Sequence, residues 1–319
     1  MTPAEVLIVI PCLNEAAALP GLLTQQLAQT LGMRIVVADG GSTDGSREIV
    51  EQFARDNSRV VLLDNPARIQ SAGINLAVRQ FGADECWLIR LDAHCTYPEN
   101  YVRDLIAVAA EQKVTSVVVP MVSRGENCFQ VAAATAQNSR LGTGGSPHRH
   151  VGKGAFVDHG HHALIDIAMF NKVGGYREDM SHNEDAELDM RMAKAGARIW
   201  LEPKLALYYY PRSSIPALWR QYWNYGSGRA RTLTLHNMRP KLRQTLPLAV
   251  PVAGFLALLT PVHPVFAAPL LIWLFACLLG GVVIGARHGG GCALAAGIAA
   301  ATMHMAWGLG FLRRILFRR

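Results

Sequence analysis

Along the first 120 residues, short apolar runs alternate with longer stretches in which apolar and polar positions mix at helical spacing. The apolar runs fall at 6–10, 34–38, 60–63, 87–91 and 114–119. Such runs, rich in Val, Ile and Leu and bounded by turn residues, predict strands buried on both faces. The stretches between them, 19–31, 46–55, 69–81 and 101–112, predict helices. Strand and helix in regular alternation predict an α/β fold, a mostly parallel sheet covered by helices on both sides. In such sheets ligands bind beyond the C-terminal strand ends.

The pattern then changes twice. Residues 121–202 are less regular and rich in Gly and His until a helical stretch at 184–195. From Pro211 the chain turns aromatic and basic, with Trp219, Tyr222, Trp223 and Tyr225 interleaved with Arg212, Arg220, Arg229 and Arg231. This predicts a helix lying at a membrane surface, its rings at headgroup depth, or one packed on the catalytic domain. Residues 246–312 hold a single charged residue, Arg287. Within them, 265–286 and 292–312 are long enough to cross a bilayer, which needs about 20 residues. The stretch 246–259 is shorter, holds Pro247 and Pro251, and reads as a re-entrant or tilted piece. Two crossings would leave Arg313, Arg314, Arg318 and Arg319 in the cytoplasm, as the positive-inside tendency favours; three would not. The expected domains are therefore 1–210 catalytic, 211–244 interfacial and 245–319 membrane-embedded.

Charge sharpens this division. The chain has 319 residues and a net charge of +7. Residues 1–202 carry 18 Lys and Arg against 24 Asp and Glu, whereas 203–319 carry 13 Lys and Arg and no acid at all. A basic block beside apolar runs points to anionic membrane lipids and away from nucleic acid. The six cysteines, at 12, 86, 95, 128, 277 and 292, form no C-x-x-C pair. With no signal-peptide pattern at the N-terminus, neither a disulfide framework nor a zinc ribbon is expected, and the catalytic part is expected to be cytoplasmic.

The polar motifs fall at the predicted strand ends. The first strand runs into Pro11-Cys12-Leu13-Asn14-Glu15, the second into Asp39-Gly40-Gly41-Ser42-Thr43-Asp44-Gly45. Asp39 can accept from a base N–H, though Asp-Gly is also ordinary turn chemistry. The fourth strand runs into Asp92-Ala93-His94, two metal-capable side chains around one small residue. Such a pair can hold Mg²⁺ or Mn²⁺ against a diphosphate, and the imidazole favours Mn²⁺. The bland reading is a capping Asp beside an exposed His. Asn183-Glu184-Asp185-Ala186-Glu187-Leu188-Asp189 opens a helix, where acids also suit the dipole. Asp185 and Asp189 share a face and Glu184 does not. Asp185 is the chosen general base. In Asp158-His159-Gly160-His161-His162, strand alternation puts only His159 and His161 on one face.

These motifs, in this order, resemble family 2 glycosyltransferases of the GT-A fold over residues 5–230. Asn65-Pro66-Ala67-Arg68, Gly73, Asn75, Arg90 through His94, and Tyr97-Pro98 resemble more narrowly the succinoglycan-type glucosyltransferases of bacterial exopolysaccharide assembly. The resemblance implies that Pro11, Asn14, Glu15, Asp39, Ser42, Arg68 and Asp92 bind a UDP-sugar, with Asp39 on uracil. It implies that Asp92 and His94 hold a divalent metal and that Asp185 is the base. It places His161, His162, Glu184, Gln221 and Arg229 near the acceptor or diphosphate. His94 stands where the family carries Asp. The Q-x-x-R-W sequence of processive synthases is replaced by Gln221-Tyr222-Trp223-Asn224-Tyr225, which disfavours repeated addition.

The implied activity is inverting, non-processive transfer of glucose from UDP-glucose to a polyprenyl-diphosphate-linked glycan at the bacterial inner membrane. Transfer to a polyprenyl monophosphate is the neighbouring possibility, and a membrane scaffold or export subunit with a vestigial nucleotide site the more distant one. No oligomeric state can be read from the chain.

Overall fold

The computed structural model describes residues 6–30, 32–145 and 152–317. Arg318 and Arg319 lie outside the described residues. The described residues of 1–121 and 151–208 form one compact unit, and those of 122–150 and 209–319 a second.

The first unit is built on an eight-stranded sheet. Its strands are β1 (Val6–Cys12), β2 (Arg34–Asp39), β3 (Val60–Asp64), β4 (Trp87–Arg90), β5 (Ser116–Val119), β6 (Ala155–Phe156), β7 (His161–Asp166) and β8 (Ile199–Leu201). They are ordered β3-β2-β1-β4-β7-β5-β8-β6. β1 to β4 pair in parallel, as does β5 with β8. β7 is antiparallel to both its neighbours, and β6 to β8. The sheet is therefore mostly parallel, with one reversed strand inserted at its centre. Helices α1 (Leu19–Gln29), α2 (Ser46–Asp56), α3 (Gln70–Phe81) and α4 (Tyr101–Gln112) fill the crossovers, and α7 (Ile167–Lys172) and α8 (Glu184–Lys194) follow β7. Leu7, Val9, Val36 and Leu88 from the strands pack with Ile74 and Val78 of α3 and Leu188 and Met192 of α8.

The β5–β7 register shifts between Val117 and Val118: Val117 faces Leu164 while Val118 faces His162, so Ala163 is the extra residue of a bulge. Bulges re-aim side chains next to functional sites. Here His161 and His162 are both buried and both reach the same carboxylate cluster. This corrects the alternation argument, which paired His159 with His161.

The second unit is helical: α5 (Cys128–Gln137), α6 (Arg140–Thr143), α9 (Ile215–Leu235), α10 (Leu242–Ala257), α11 (Ala268–Arg287) and α12 (Ala296–Phe317). Asn127 and Gln130 close a reciprocal capping box at the start of α5. The core here is made of small residues: Ala133 and Ala136 of α5, Leu218 and Tyr222 of α9, and Ala296, Ala299, Ala300, Met303 and Ala306 of α12. Two glycines set how closely α9 and α12 approach. A Cβ on Gly226 would lie 2.0 Å from the Trp307 carbonyl oxygen, and one on Gly310 2.1 Å from that of Trp223. Two helical segments are long and apolar enough to cross a membrane, 264–287 and 291–317, with 11% and 44% of their most apolar windows buried.

One disulfide is present, Cys128–Cys292, joining the start of α5 to the connection before α12 across 164 residues of sequence. This corrects the expectation from cysteine spacing. A pair that far apart leaves no local signature, and only packing brings the two Cα atoms to 5.1 Å.

Candidate active site

The site in the first unit is assembled at the C-terminal ends of β1, β2 and β4, where parallel-sheet ligand sites form. Two loops are laced together there. Asn14 donates its backbone N–H to Ser42 Oγ at 2.9 Å, and its Oδ1 accepts from Thr43 N–H at 2.9 Å. Glu15 N–H donates to Ser46 Oγ at 2.8 Å, and Asp44 accepts from Ala16 N–H at 3.0 Å. Asp39 is buried and accepts from Gly41 N–H, Ser42 N–H and, at 2.5 Å, Ser42 Oγ. A carboxylate offers about four acceptor positions, so Asp39 is largely committed to its own loop. The turn-forming role of Asp39 is thus realised in the structure.

Pro11, half-buried, is the penultimate residue of β1 on this side. Arg68 is exposed, with its guanidinium close to Gly41. Asn14, Arg68 and Asn183 all have φ near +60°, at 57°, 58° and 65°. For Arg this is an uncommon backbone state, and such states cluster at functional sites.

Beside these loops lies a cluster of ions organised by Arg90. Its side chain is 6% exposed. Nε donates to Asp92 Oδ1 at 3.0 Å, and Nη1 donates to Asp185 Oδ1 at 2.6 Å. One guanidinium therefore ties the end of β4 to the start of α8. Gln70 lies against Asp92, at 3.4 Å from Oδ1. Tyr97 closes on the Asp92 backbone, its Oη 2.6 Å from the amide nitrogen. From β7, His161 Nε2 sits 3.6 Å from Asp92 Oδ2 and His162 Nδ1 3.5 Å from Asp185 Oδ1. His162 Nε2 meets Asp189 Oδ1 at 2.7 Å, and both side chains are fully buried. Asp189 Oδ2 accepts from Gly160 N–H at 3.1 Å, and Tyr176 Oη meets His162 Nδ1 at 2.5 Å.

Burial and charge set the protonation states. Burial opposes ionisation of Asp92, but Arg90, His161 and His94 outweigh it and hold its pKa well below the usual carboxylate range. Asp185 is likewise held down, against burial, by Arg90 and His162. Glu184, its neighbour, is pushed up to about 7 by burial and by the Asp185 charge. Burial lowers His161 to about 4, so it is neutral near pH 7. His162 moves the other way: burial is overcome by Asp189 and Asp185, and its pKa is raised. Burial also raises Asp189, against the pull of His162.

His94 is half-exposed and turned to Glu15, with Nδ1 3.0 Å from Oε1. Among the described residues, no group of three or more His, Cys, Asp or Glu could hold a metal ion by itself. The donor set fits a cation that completes its shell elsewhere. Asp92 supplies an ionised carboxylate and His94 an exposed imidazole, while diphosphate oxygens and water would supply the rest. Gln221 and Arg229 stand on α9, in the second unit. Gln221 is buried, with Nε2 2.7 Å from Tyr209 Oη and 3.0 Å from Tyr225 Oη; Arg229 is half-buried.

Comparison with known proteins accords with this architecture. The model of glycosyl transferase family 2 matches residues 7–174. The chain belongs to that family. It is a glycosyltransferase, and the matched region holds the strand-end loops and Arg90. The chain is 49% identical, over 100% of its own length and 98% of the relative's, to the succinoglycan biosynthesis protein ExoA of Rhizobium meliloti (strain 1021). A more distant relative is the dolichyl N-acetyl-alpha-D-glucosaminyl phosphate 3-beta-D-2,3-diacetamido-2,3-dideoxy-beta-D-glucuronosyltransferase of Methanococcus voltae. It is 22% identical over 70% of this chain and 72% of that protein. Among solved structures, the mannosyltransferase PcManGT from Pyrobaculum calidifontis, in complex with GDP-Man and Mn²⁺, superposes with a TM-score of 0.61. It is 17% identical and covers 99% of this chain and 88% of that one. That likeness is one of fold, and the fold is GT-A.

The bridging role of Arg90, the pairing of His162 with Asp189, and Tyr176 are what motif reading passed over. Arg90 had a signal: a charged residue inside the buried run Trp87-Leu88-Ile89-Arg90-Leu91 needs partners. Tyr176 had none.

Proposed function

We propose that this glycosyltransferase moves one glucose from UDP-glucose onto a polyprenyl-diphosphate-linked glycan at the cytoplasmic face of the bacterial inner membrane, in exopolysaccharide synthesis. The observation that carries the reading is the Arg90 bridge, which holds two ionised carboxylates, Asp92 and Asp185, on one guanidinium. In this reading Asp92 faces the donor's diphosphate and Asp185 the acceptor. The 49% identity to a protein of succinoglycan biosynthesis supports the pathway. The dolichyl-linked sugar phosphate named for the Methanococcus voltae relative supports a lipid-linked acceptor. The basic, acid-free stretch 203–319 supports an anionic lipid surface.

The acceptor hydroxyl attacks the anomeric carbon opposite the leaving group. Its proton passes to Asp185, the bond from the sugar to the diphosphate breaks, and UDP leaves with the electron pair. One transfer inverts α to β. Asp39, Ser42 and Asn14 shape the loop under the uracil, and Arg68 overhangs it. Arg90 positions Asp92 and Asp185, and His162 steadies Asp185 from the other side. Asp92 and His94 would hold Mn²⁺ or Mg²⁺, which when bound supplies countercharge for the departing diphosphate.

Replacing Asp185 with Asn is expected to cut transfer by roughly 10²–10⁴-fold, the usual worth of a positioned base, with UDP binding by calorimetry nearly unchanged. Survival of transfer would remove Asp185 from the role. A second reading then has its own support: Glu184, with a pKa near 7, is tuned as a base should be. Thin-layer analysis with polyprenyl monophosphate and polyprenyl-diphosphate-glycan acceptors separates the neighbouring activity. UDP binding with no turnover on either would mark a vestigial site.

A further inference from the structure

We propose that the bilayer is crossed by α10 and α11 as a hairpin, and that α12, although long and apolar enough to cross, stays on the catalytic face. The inference rests on the reading of the chain as a membrane enzyme whose catalytic unit faces the cytoplasm. It deepens that reading by naming the surface that meets lipid.

Sidedness follows from connectivity. Residues 122–145 are flanked in sequence by strands of the catalytic sheet. Neither they nor the catalytic sequence hold a helix long and apolar enough to cross among the described residues. Cys128 therefore lies on the catalytic face. Cys292, whose Cα is 5.1 Å from that of Cys128, must lie there too. This step needs only the adjacency of the two residues, whether oxidised or reduced. The connection between α11 and α12 is thereby placed on the near side, so α11 can cross only if α10 has carried the chain over first. α10 has 16 residues, about 24 Å of helix, and the turn at 258–263 extends the apolar stretch beyond it towards the far face.

Packing agrees. α12 buries its Ala and Met face against α5 and α9. Its His304 Nε2 meets the Leu141 carbonyl of α6 at 2.7 Å, and the Arg313 guanidinium lies over the Trp223 ring at 5.9 Å. α9 carries Arg220, Arg229 and Arg231. A crossing α12 would draw that helix and its arginines into hydrocarbon, which is costly. The α10–α11 hairpin shows the opposite character. Leu258 and Val262 at its tip are 72% and 77% exposed, and Ile272 and Phe275 on α11 68% and 66%. A continuous exposed apolar surface of this kind needs a partner. Charge selects the bilayer as that partner. The tip, 258–267, has no charged residue, whereas Arg239, Lys241, Arg243, Arg287, Arg313 and Arg314 would all lie on the catalytic face. That is the arrangement the positive-inside tendency favours.

The test is cysteine labelling of the full-length chain in spheroplasts with a membrane-impermeant maleimide. Val262→Cys is expected to label in intact spheroplasts. His288→Cys and the native, exposed Cys86 are expected to label only after permeabilisation. Val265→Cys repeats the far-face measurement should the first variant accumulate poorly. Labelling of His288→Cys in intact spheroplasts overturns the proposal, because α11 and α12 would then be the crossing pair. Labelling of Val262→Cys and Val265→Cys only after permeabilisation overturns it as well, because the hairpin would stop short of the far face. Release of the chain by carbonate washing, or labelling of Cys86 from outside, would instead sink the underlying reading of a cytoplasm-facing membrane enzyme, and the hairpin with it.

Discussion

Asp189→Asn probes the least visible part of the site. Asp189 and His162 are fully buried and meet at 2.7 Å. The other Asp189 oxygen accepts from Gly160 N–H at 3.1 Å. An Asn in that place can accept from only one of these two donors and turns its own NH₂ toward the other. A charge-assisted hydrogen bond worth about 1.5–3 kcal/mol is lost, and a buried donor is left unsatisfied at a further ~1–3 kcal/mol. Together these suggest a loss of about 3–5 kcal/mol, the range for breaking a buried pair.

The loss should depend on pH, with a definite sign. The folded pKa of His162 is raised, chiefly by Asp189 against burial. Its contribution is therefore fully present below its unfolded value, about 6.5, and fades as pH rises through the folded value. The deficit of Asp189→Asn should be larger at pH 6 than at pH 9. Chemical denaturation of the full chain in detergent at both pH values reads this directly. A double-mutant cycle with His162→Gln should give a coupling of at least ~1 kcal/mol. A loss under about 1 kcal/mol, or one that grows with pH, would refute the buried pair.

Three other outcomes are expected. Ser42→Ala removes the 2.5 Å contact to Asp39 and the acceptor for Asn14 N–H; nucleotide affinity should fall severalfold with little change in kcat, by calorimetry and steady-state kinetics. Gly226→Ala sets a Cβ against the Trp307 carbonyl at 2.0 Å, and overpacking of this kind costs about 1–3 kcal/mol or more, visible as a lower Tm in detergent; an unchanged Tm would refute the close α9–α12 approach. Chelation should abolish transfer and Mn²⁺ restore it; full activity in excess chelator would remove Asp92 and His94 from a metal-holding role.

Much of the fold was legible because it is local. The four parallel strands β1 to β4 and their helices follow from apolar runs and spacing, and α3 and α8 begin within a residue of their expected starts. The candidate site was legible where a strand end or a helix start carries a motif, as at Asp39 and Asp92 or at Asp185. It was not legible where function depends on pairing. The facing directions of His161 and His162 depend on a bulge against β5, so alternation along β7 alone misled.

By itself, then, the sequence determined the order of elements, the acidic and basic halves, and the motifs at the sheet edge, because all are properties of short stretches or of composition. Tertiary structure decided what joins residues far apart. It placed a reversed strand in mid-sheet, joined Arg90 to Asp185 across 95 residues, and brought Cys128 beside Cys292. Contacts of that range arise only when the whole chain closes, and no periodicity in the sequence records them.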